Sequence, residues 1–320
     1  MRHYRFVDWA TQCYAVVAGL LILLFHGGAV PAWPWLVAAH FMVVALIHWL
    51  LHCAAQGRGG APVRFLHAFY PILLYTGFYR VTGLVNEMFI PGNLDPVFIR
   101  WDQVLFGSQP SLTFMDRFPQ RWVAELMYGC YFSYYLMIVG VGLILLLRRR
   151  DQFDHFLAVV SISFYVCYFT YLILPVMGPR IFFLEGDMVQ VIPEAWGPPS
   201  WGGALDGPPP PFPESVQAGW FYQVVIFLYI YFESEGAAFP SSHVALAVVT
   251  LYFSWIYLPR LRWVHLVLAV GLCLGTVYCR YHYVVDVFAG LAVAAVMVPV
   301  GNCLYARFTG GLPERSTGPS

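Results

Sequence analysis

The chain has 320 residues, enough for one or two soluble domains, but 60% are hydrophobic, 18% aromatic and only 11% charged, which excludes an ordinary soluble protein. The formal net charge is zero, so no basic balance points to nucleic acid as a partner. All 17 basic residues are arginine, and the seven cysteines are scattered and odd in number, which excludes a disulfide framework. The first apolar run has no clear small-residue cleavage site and is expected to stay as a spanning helix.

In chain order, eight apolar runs are predicted to cross a membrane: 13–30, 33–51, 65–85, 123–147, 155–174, 241–258, 263–279 and 282–304. Several approach the ~20 residues that a helix needs to span the hydrocarbon core. Pro31, Ala32, Trp33 and Pro34 make a short turn between the first two. Gly19, Gly142, Gly271 and Gly290 fall inside runs, where small residues let helices approach closely. The expected fold is all-α, a polytopic transmembrane helical bundle forming one integral membrane domain over 1–320.

Two connections break the pattern. Residues 86–121 carry Asp95, Arg100, Asp102 and Asp116 beside Phe98, Trp101, Leu105 and Phe106, the composition of an amphipathic helix lying on the membrane. Residues 185–218 are rich in proline and glycine, with Trp196, Trp201 and an unbroken run from Pro208 to Pro211. Such a loop reads as a lid or entrance, or as a plain surface loop. The segment 220–232 is apolar and aromatic but short, and is expected to be interfacial or re-entrant.

Charge sets the orientation. With eight spans, both termini and the turns near Arg58, Arg148 and Arg260 share one side. That side collects 11 of the 17 arginines but only Asp8, Asp151, Asp154 and Glu314 of the 17 acids. The positive-inside rule makes it cytoplasmic. Arg180, His243 and His282 fall on the opposite face, expected to be extracytoplasmic in a plasma or inner membrane.

Three short motifs lie on that face. His282 and Asp286 are four apart, the spacing of one helix face. A carboxylate there fixes the imidazole tautomer and frees the other nitrogen to attack phosphorus. Phe239, Pro240, Ser241, Ser242 and His243 read as a helix start, with backbone N–H groups and the hydroxyls of Ser241 and Ser242 directed at an anion. His243 in that first turn is placed to protonate a leaving oxygen. Arg180, after Met177, Gly178 and Pro179, offers a bidentate fork for phosphate. Arg280 is a second phosphate-binding candidate, provided that the backbone before His282 is not yet helical. Plainer roles exist for each: a polar packing pair, a capped helix with an interfacial histidine, an interfacial arginine anchor. Their coincidence at one surface suits phosphoryl transfer on a lipid. His40, His48 and His52 share a stripe, but no carboxylate joins them. They read as packed or interfacial residues, so neither metal nor other cofactor is expected.

These motifs resemble those of the type-2 phosphatidic-acid phosphatase superfamily. The resemblance implies a six-helix core and metal-independent catalysis through a phosphohistidine. By motif match His282 is the nucleophile, His243 the general acid, Asp286 the orienting carboxylate and Arg180 a phosphate ligand. The chain departs from the usual pattern at Ile173 (lysine), Ile181 (proline), Ser242 (glycine) and Thr276 (arginine). Gly178-Pro179-Arg180, Phe239-Pro240-Ser241-Ser242-His243 and His282-Tyr283-Val284-Val285-Asp286 look closer to the inositol phosphorylceramide synthase branch. So do Leu94-Asp95-Pro96, Trp101-Asp102 and Phe106-Gly107. The last motif is also similar to that of sphingomyelin synthases, although their Cys-Gly-Asp signature is missing.

The expected activity is cleavage of a lipid phosphoester at the extracytoplasmic face. Water as acceptor makes a phosphatase. A lipid alcohol makes a phosphotransferase, for example one passing phosphoinositol to a sphingolipid hydroxyl. The rival reading is a transporter or non-catalytic lipid-binding protein. Transporters favour paired broken helices and charges at mid-membrane, whereas these polar groups gather at one surface.

Overall fold

Inside hydrocarbon a backbone amide finds no water, so each apolar run must close its own hydrogen bonds as a helix. A computed structural model describes residues 4–28, 30–184, 211–232 and 234–315. The chain is an all-α polytopic bundle. Its elements are α1 (Phe6–Phe25), α2 (Trp33–Ala55), α3 (Gly60–Val85), α4 (Asp95–Phe106), α5 (Pro110–Arg117), α6 (Arg121–Arg148), α7 (Arg150–Ile173), α8 (Pro179–Leu184), α9 (Glu214–Gln217), α10 (Trp220–Phe232), α11 (Ser242–Tyr257), α12 (Arg262–Tyr278) and α13 (Val284–Thr309).

Each of the eight runs read as a span appears as a helix, with shifted limits. The first begins at Phe6 rather than Cys13, because the Asp8 carboxylate accepts the Arg5 N–H at 2.8 Å and satisfies an orphan donor of the first turn. Among the described residues, α1, α2, α6, α7 and α13 are long and apolar enough to cross alone. The α11 and α12 helices, with 16 and 17 residues, are shorter.

The bundle is arranged around α7, whose apolar window is 72% buried against 28% for the peripheral α2. Helices α1, α3, α6, α11 and α13 all pack on it, which is why its apolar residues run right round the axis. Gly290 brings α13 onto α11 so closely that a Cβ there would lie 2.6 Å from the Ser241 carbonyl. Gly271 does the same for α12 on α6, beside Cys130.

The two ends of the bundle differ. At one, Arg5 donates to Asp154 (3.3 Å) and to the His67 carbonyl (2.6 Å), Gln152 donates to the Glu314 carbonyl (3.0 Å), and His155 pairs with Tyr257 (2.8 Å). These contacts bring together both termini and the turns after α2, α6 and α11, the grouping predicted from charge. The sequence motifs all lie at the other end.

Helix α10 has 13 residues, about 20 Å at ~1.5 Å per residue, against the ~30 Å of a hydrocarbon core. Its first N–H groups, of Trp220 and Phe221, donate to Glu125 near the start of α6 at 2.5 and 3.0 Å. Just beyond its last residue, the Ser234 hydroxyl accepts the Gly83 N–H at 2.9 Å, near the end of α3. Both flanks are thus tied to the motif end of the bundle, so α10 lies across that end rather than running the length of the bundle.

The connection 86–121 folds into α4 and α5, parted at Gly107 with φ 65°. Trp101, Leu105 and Phe106 are exposed, as a membrane-lying helix requires, but Asp95 and Asp102 are fully buried. These two acids therefore face the protein interior. Of the loop read as 185–218, residues 185–210, with Trp196 and Trp201, lie outside the described residues, and 211–218 carry α9.

Candidate active site

The third motif begins where α12 stops. The Tyr281 and His282 N–H groups both return to the Thr276 carbonyl, at 3.0 and 3.2 Å, and Arg280 takes φ 63°, the left-handed region. Helix α13 starts only at Val284. His282 therefore precedes the helix expected to carry it. It still meets Asp286, across the helix start rather than along a helical turn: Nδ1 lies 3.4 Å from Oδ2. The same Oδ2 accepts the Tyr283 N–H at 2.9 Å, the usual service of an acid at the third helical position. His282 is 4% exposed. Burial, with His243 beside it, holds its imidazole well below the ordinary histidine range, so the ring is neutral at neutral pH.

The second motif starts α11. Ser241 caps it, its hydroxyl accepting the Val244 N–H at 3.3 Å. The Ser241 N–H donates to the Asp286 carbonyl at 3.2 Å and the Ser242 N–H to the Tyr171 hydroxyl at 3.2 Å. The N–H groups expected to face an anion are thus taken up by protein acceptors, because water does not reach them. His243 Nε2 is hydrogen-bonded to the Tyr131 hydroxyl at 3.0 Å, and its Nδ1 has no partner among the described residues. The His243 and His282 ring centres are 5.7 Å apart.

The first motif turns at Gly178, φ 87°. A Cβ there would lie 2.7 Å from the Tyr281 carbonyl, so only glycine lets α8 sit against the third motif. Arg180 follows, its guanidinium 4.8 Å from the ring centres of Phe212 and Tyr229 and 5.3 Å from that of Tyr281. Its buried Nε and Nη1 have no hydrogen-bond partner among the described residues. Arg180, His243 and His282 line one small pocket with Tyr131 and Tyr281. The backbone from Arg280 to His282 is indeed non-helical, yet this arginine is fully buried and bonds Asp116 at 3.0 Å, anchoring α5 to the third motif. The stripe histidines take separate partners. His40 bonds the Leu36 carbonyl, His48 Tyr4 and His52 Gln56.

Two residues to which sequence reasoning gave no role hold the motifs together. Asp95 accepts the Met177 and Gly178 N–H groups, both at 2.8 Å, and the Tyr283 hydroxyl at 2.9 Å. It clamps the first motif to the third. Burial pushes its carboxyl up to about 6, although hydrogen bonds from Met177, Tyr283 and Gly178 oppose the rise. Asp102 accepts the Val284 and Val285 N–H groups at 2.9 and 3.1 Å and so caps α13. A signal existed: a carboxylate among apolar neighbours such as Phe98 and Trp101 is as costly as Asp286 unless it is satisfied internally.

Asp95→Ala leaves three buried donors bare, at about 1–3 kcal/mol each. We expect a loss of at least about 3 kcal/mol, read as a large fall in Tm in detergent. Asp151→Ala, whose side chain is 50% exposed, should leave Tm unchanged. Equal Tm values for the two variants would contradict the clamp.

Tyr131 was also missed; among so many tyrosines, no spacing relates it to the motifs. A family model of the PAP2 superfamily matches residues 98–300, more than half of the chain and every motif described above except Asp95. No characterised protein and no solved structure matches the chain. With two histidine motifs and an arginine gathered at one end of an apolar bundle, and a family match over that same region, the chain belongs to the PAP2 superfamily and is an integral membrane enzyme of phosphatase type acting on lipid phosphoesters.

Proposed function

We propose that the enzyme transfers a phosphoryl-linked head group from one lipid alcohol to an acceptor through a phosphohistidine on His282, without a metal ion. The observation that carries this reading is the pair of imidazoles 5.7 Å apart beside a guanidinium with two buried, unpartnered N–H donors. Arg180 binds the phosphate oxygens in a charge-assisted fork. Asp286 holds the His282 proton on Nδ1 and leaves Nε2 to attack. Its 3.4 Å contact is of the long kind that tightens when charge develops in the occupied site. As the P–N bond forms, the P–O bond to the alcohol breaks, and His243 gives the departing oxygen its proton. In the second half an acceptor hydroxyl loses its proton to His243 and attacks phosphorus, and His282 leaves. Water as acceptor gives hydrolysis.

In the finer reading the transferred unit is phosphoinositol and the acceptor a sphingolipid hydroxyl. The pattern of the Arg180, His243 and His282 motifs supports it. Lipid mass spectrometry of purified enzyme with phosphatidylinositol or phosphatidate, with and without a hydroxylated lipid, separates transfer from hydrolysis. In this reading residues 1–320 form one membrane domain, with 86–121 at the interface and 185–218 facing outward.

His282→Ala should abolish the covalent phosphoenzyme. His243→Ala should slow its formation by about 10²–10⁴-fold from a poor alcohol leaving group, and less from an activated one. Asp286→Asn should fold yet turn over slowly. Near-normal turnover of His282→Ala would remove the nucleophile assignment.

Among the described residues no three His, Cys, Asp or Glu side chains converge as a ligand set, and Arg180 supplies the cationic charge in this mechanism. Activity should therefore survive EDTA. Loss on chelation with recovery on adding magnesium would overturn metal independence.

The charge asymmetry supports a site outside the cytoplasm. In a background without native cysteines, Gln217→Cys on α9 should react with an impermeant thiol reagent added to intact cells. Arg149→Cys should react only after permeabilisation. The reverse pattern would assign the site to the cytoplasmic leaflet.

A further inference from the structure

Taking a guanidinium out of water is costly unless its charge is met. Arg280 is met by Asp116 at 3.0 Å. Among the described residues no carboxylate pairs with Arg180. Three aromatic rings surround it instead. Its guanidinium carbon lies 4.8 Å from the ring centres of Phe212 and Tyr229 and 5.3 Å from that of Tyr281. A ring face attracts a cation through its quadrupole. A carboxylate would take up the same N–H donors that a phosphate needs, whereas ring faces stabilise the charge and leave those donors unengaged. Nε and Nη1 of Arg180 accordingly have no hydrogen-bond partner among the described residues.

Phe212 and Tyr229 both come from the segment between the first and second motifs, and separate contacts hold each in place. Pro211 and Pro213 flank Phe212, which restricts its backbone to extended forms. The Phe212 carbonyl accepts the Gln217 side-chain N–H at 2.7 Å, and the Ser215 hydroxyl donates to the Pro119 carbonyl at 2.6 Å. Val216 is fully buried beside Val123 and Ala124 of α6. Tyr229 belongs to α10, whose flanks are tied to Glu125 and Gly83. Tyr229 and Tyr281 line the small pocket with Arg180, and Phe212 does not. Phe212 thus covers the guanidinium without filling the space left for a ligand. Its ring centre is also 4.8 Å from the Arg280 guanidinium carbon, so one ring serves both cations.

We infer that Phe212 and Tyr229, together with Tyr281, are positioning residues that hold the Arg180 guanidinium beside the small pocket and keep its Nε and Nη1 donors for phosphate oxygens; the inference rests on the phosphate-binding role proposed above for Arg180. The Asp95 clamp fixes the backbone ahead of Arg180, and the rings fix its side chain. Tyr281 also stacks on Tyr131, with centres 4.6 Å and planes 14° apart, and Tyr131 bonds His243. One chain of aromatic contacts therefore sets the phosphate ligand relative to the general acid. The segment carrying α9 and α10 is thereby part of the phosphate site.

Phenylglyoxal modification of Arg180, located by peptide mapping of the full-length enzyme in detergent, reads this placement without turnover. Phe212→Leu and Tyr229→Leu should speed modification at least about threefold with Tm unchanged. Phe212→Tyr and Tyr229→Phe, which keep a ring, should react at the wild-type rate. A trifluorinated phenylalanine in place of Phe212 keeps the ring's shape and weakens its negative face, and should react faster than wild type. Wild-type rates in the two leucine variants, or no response to fluorination, would overturn the inference. Should the leucine variants unfold, the fluorinated enzyme decides alone. Inorganic phosphate should protect Arg180 in the wild type. Absence of protection, with the response to the rings intact, would refute the phosphate role and keep the aromatic cage. Protection with a rate indifferent to the rings would do the opposite.

Discussion

A carboxylate taken out of water must have its lone pairs met, or it costs several kcal/mol. This enzyme meets that demand with the backbone of its own motifs. Asp95 takes two N–H groups before Arg180 and the hydroxyl of Tyr283. Asp102 takes the first N–H groups of α13. Asp286 takes the Tyr283 N–H and faces His282, while its own carbonyl accepts the N–H of Ser241. The hydrogen bonds of three buried acids thus draw three distant loops into one unit. The separation of the imidazoles and the position of the Arg180 guanidinium follow from that unit.

The bundle supplies the frame for it. Helix α7, packed on nearly every side, carries Tyr171, whose hydroxyl accepts the Ser242 N–H and donates to the Pro240 carbonyl at 2.8 Å. The second motif is therefore pinned to the most buried helix of the fold. Short α10 completes the arrangement. It packs on α6 and closes one wall of an aromatic, apolar cavity. The polar pocket and the apolar cavity then meet at His243, which lines both together with Tyr79, Tyr131, Tyr229 and Tyr281.

The legible part of this protein was the part written in long patterns. Apolar runs near 20 residues announce helices, because hydrocarbon leaves the backbone no other open-chain solution. The grouping of arginines anticipated which turns share an end, and contacts such as Arg5 with Asp154 match it. The spacing of His282 and Asp286 brought out a real pair, though for an inexact reason: they meet through a helix cap, and a four-residue spacing serves both geometries. The burial of Asp95 and Asp102 was not legible, because amphipathic composition tells that a helix has two faces, not which face is turned inward. Asp95 and Asp102 look like solvent-facing residues until the loops above them are in place.

By itself, then, the sequence determined the class of fold and the apolar helices, and singled out residues suited to phosphoryl chemistry, since these depend on local composition and short spacings. Only the tertiary structure decided which donors remain for a ligand. It engaged the N–H groups of Ser241, Ser242 and Val244 internally, bound Arg280 to Asp116, and left Arg180 without a hydrogen-bond partner at Nε and Nη1 among the described residues. It also set Tyr131 against His243. The reason is physical: a buried polar group is defined by the partner that reaches it, and these partners come from segments tens to hundreds of residues away.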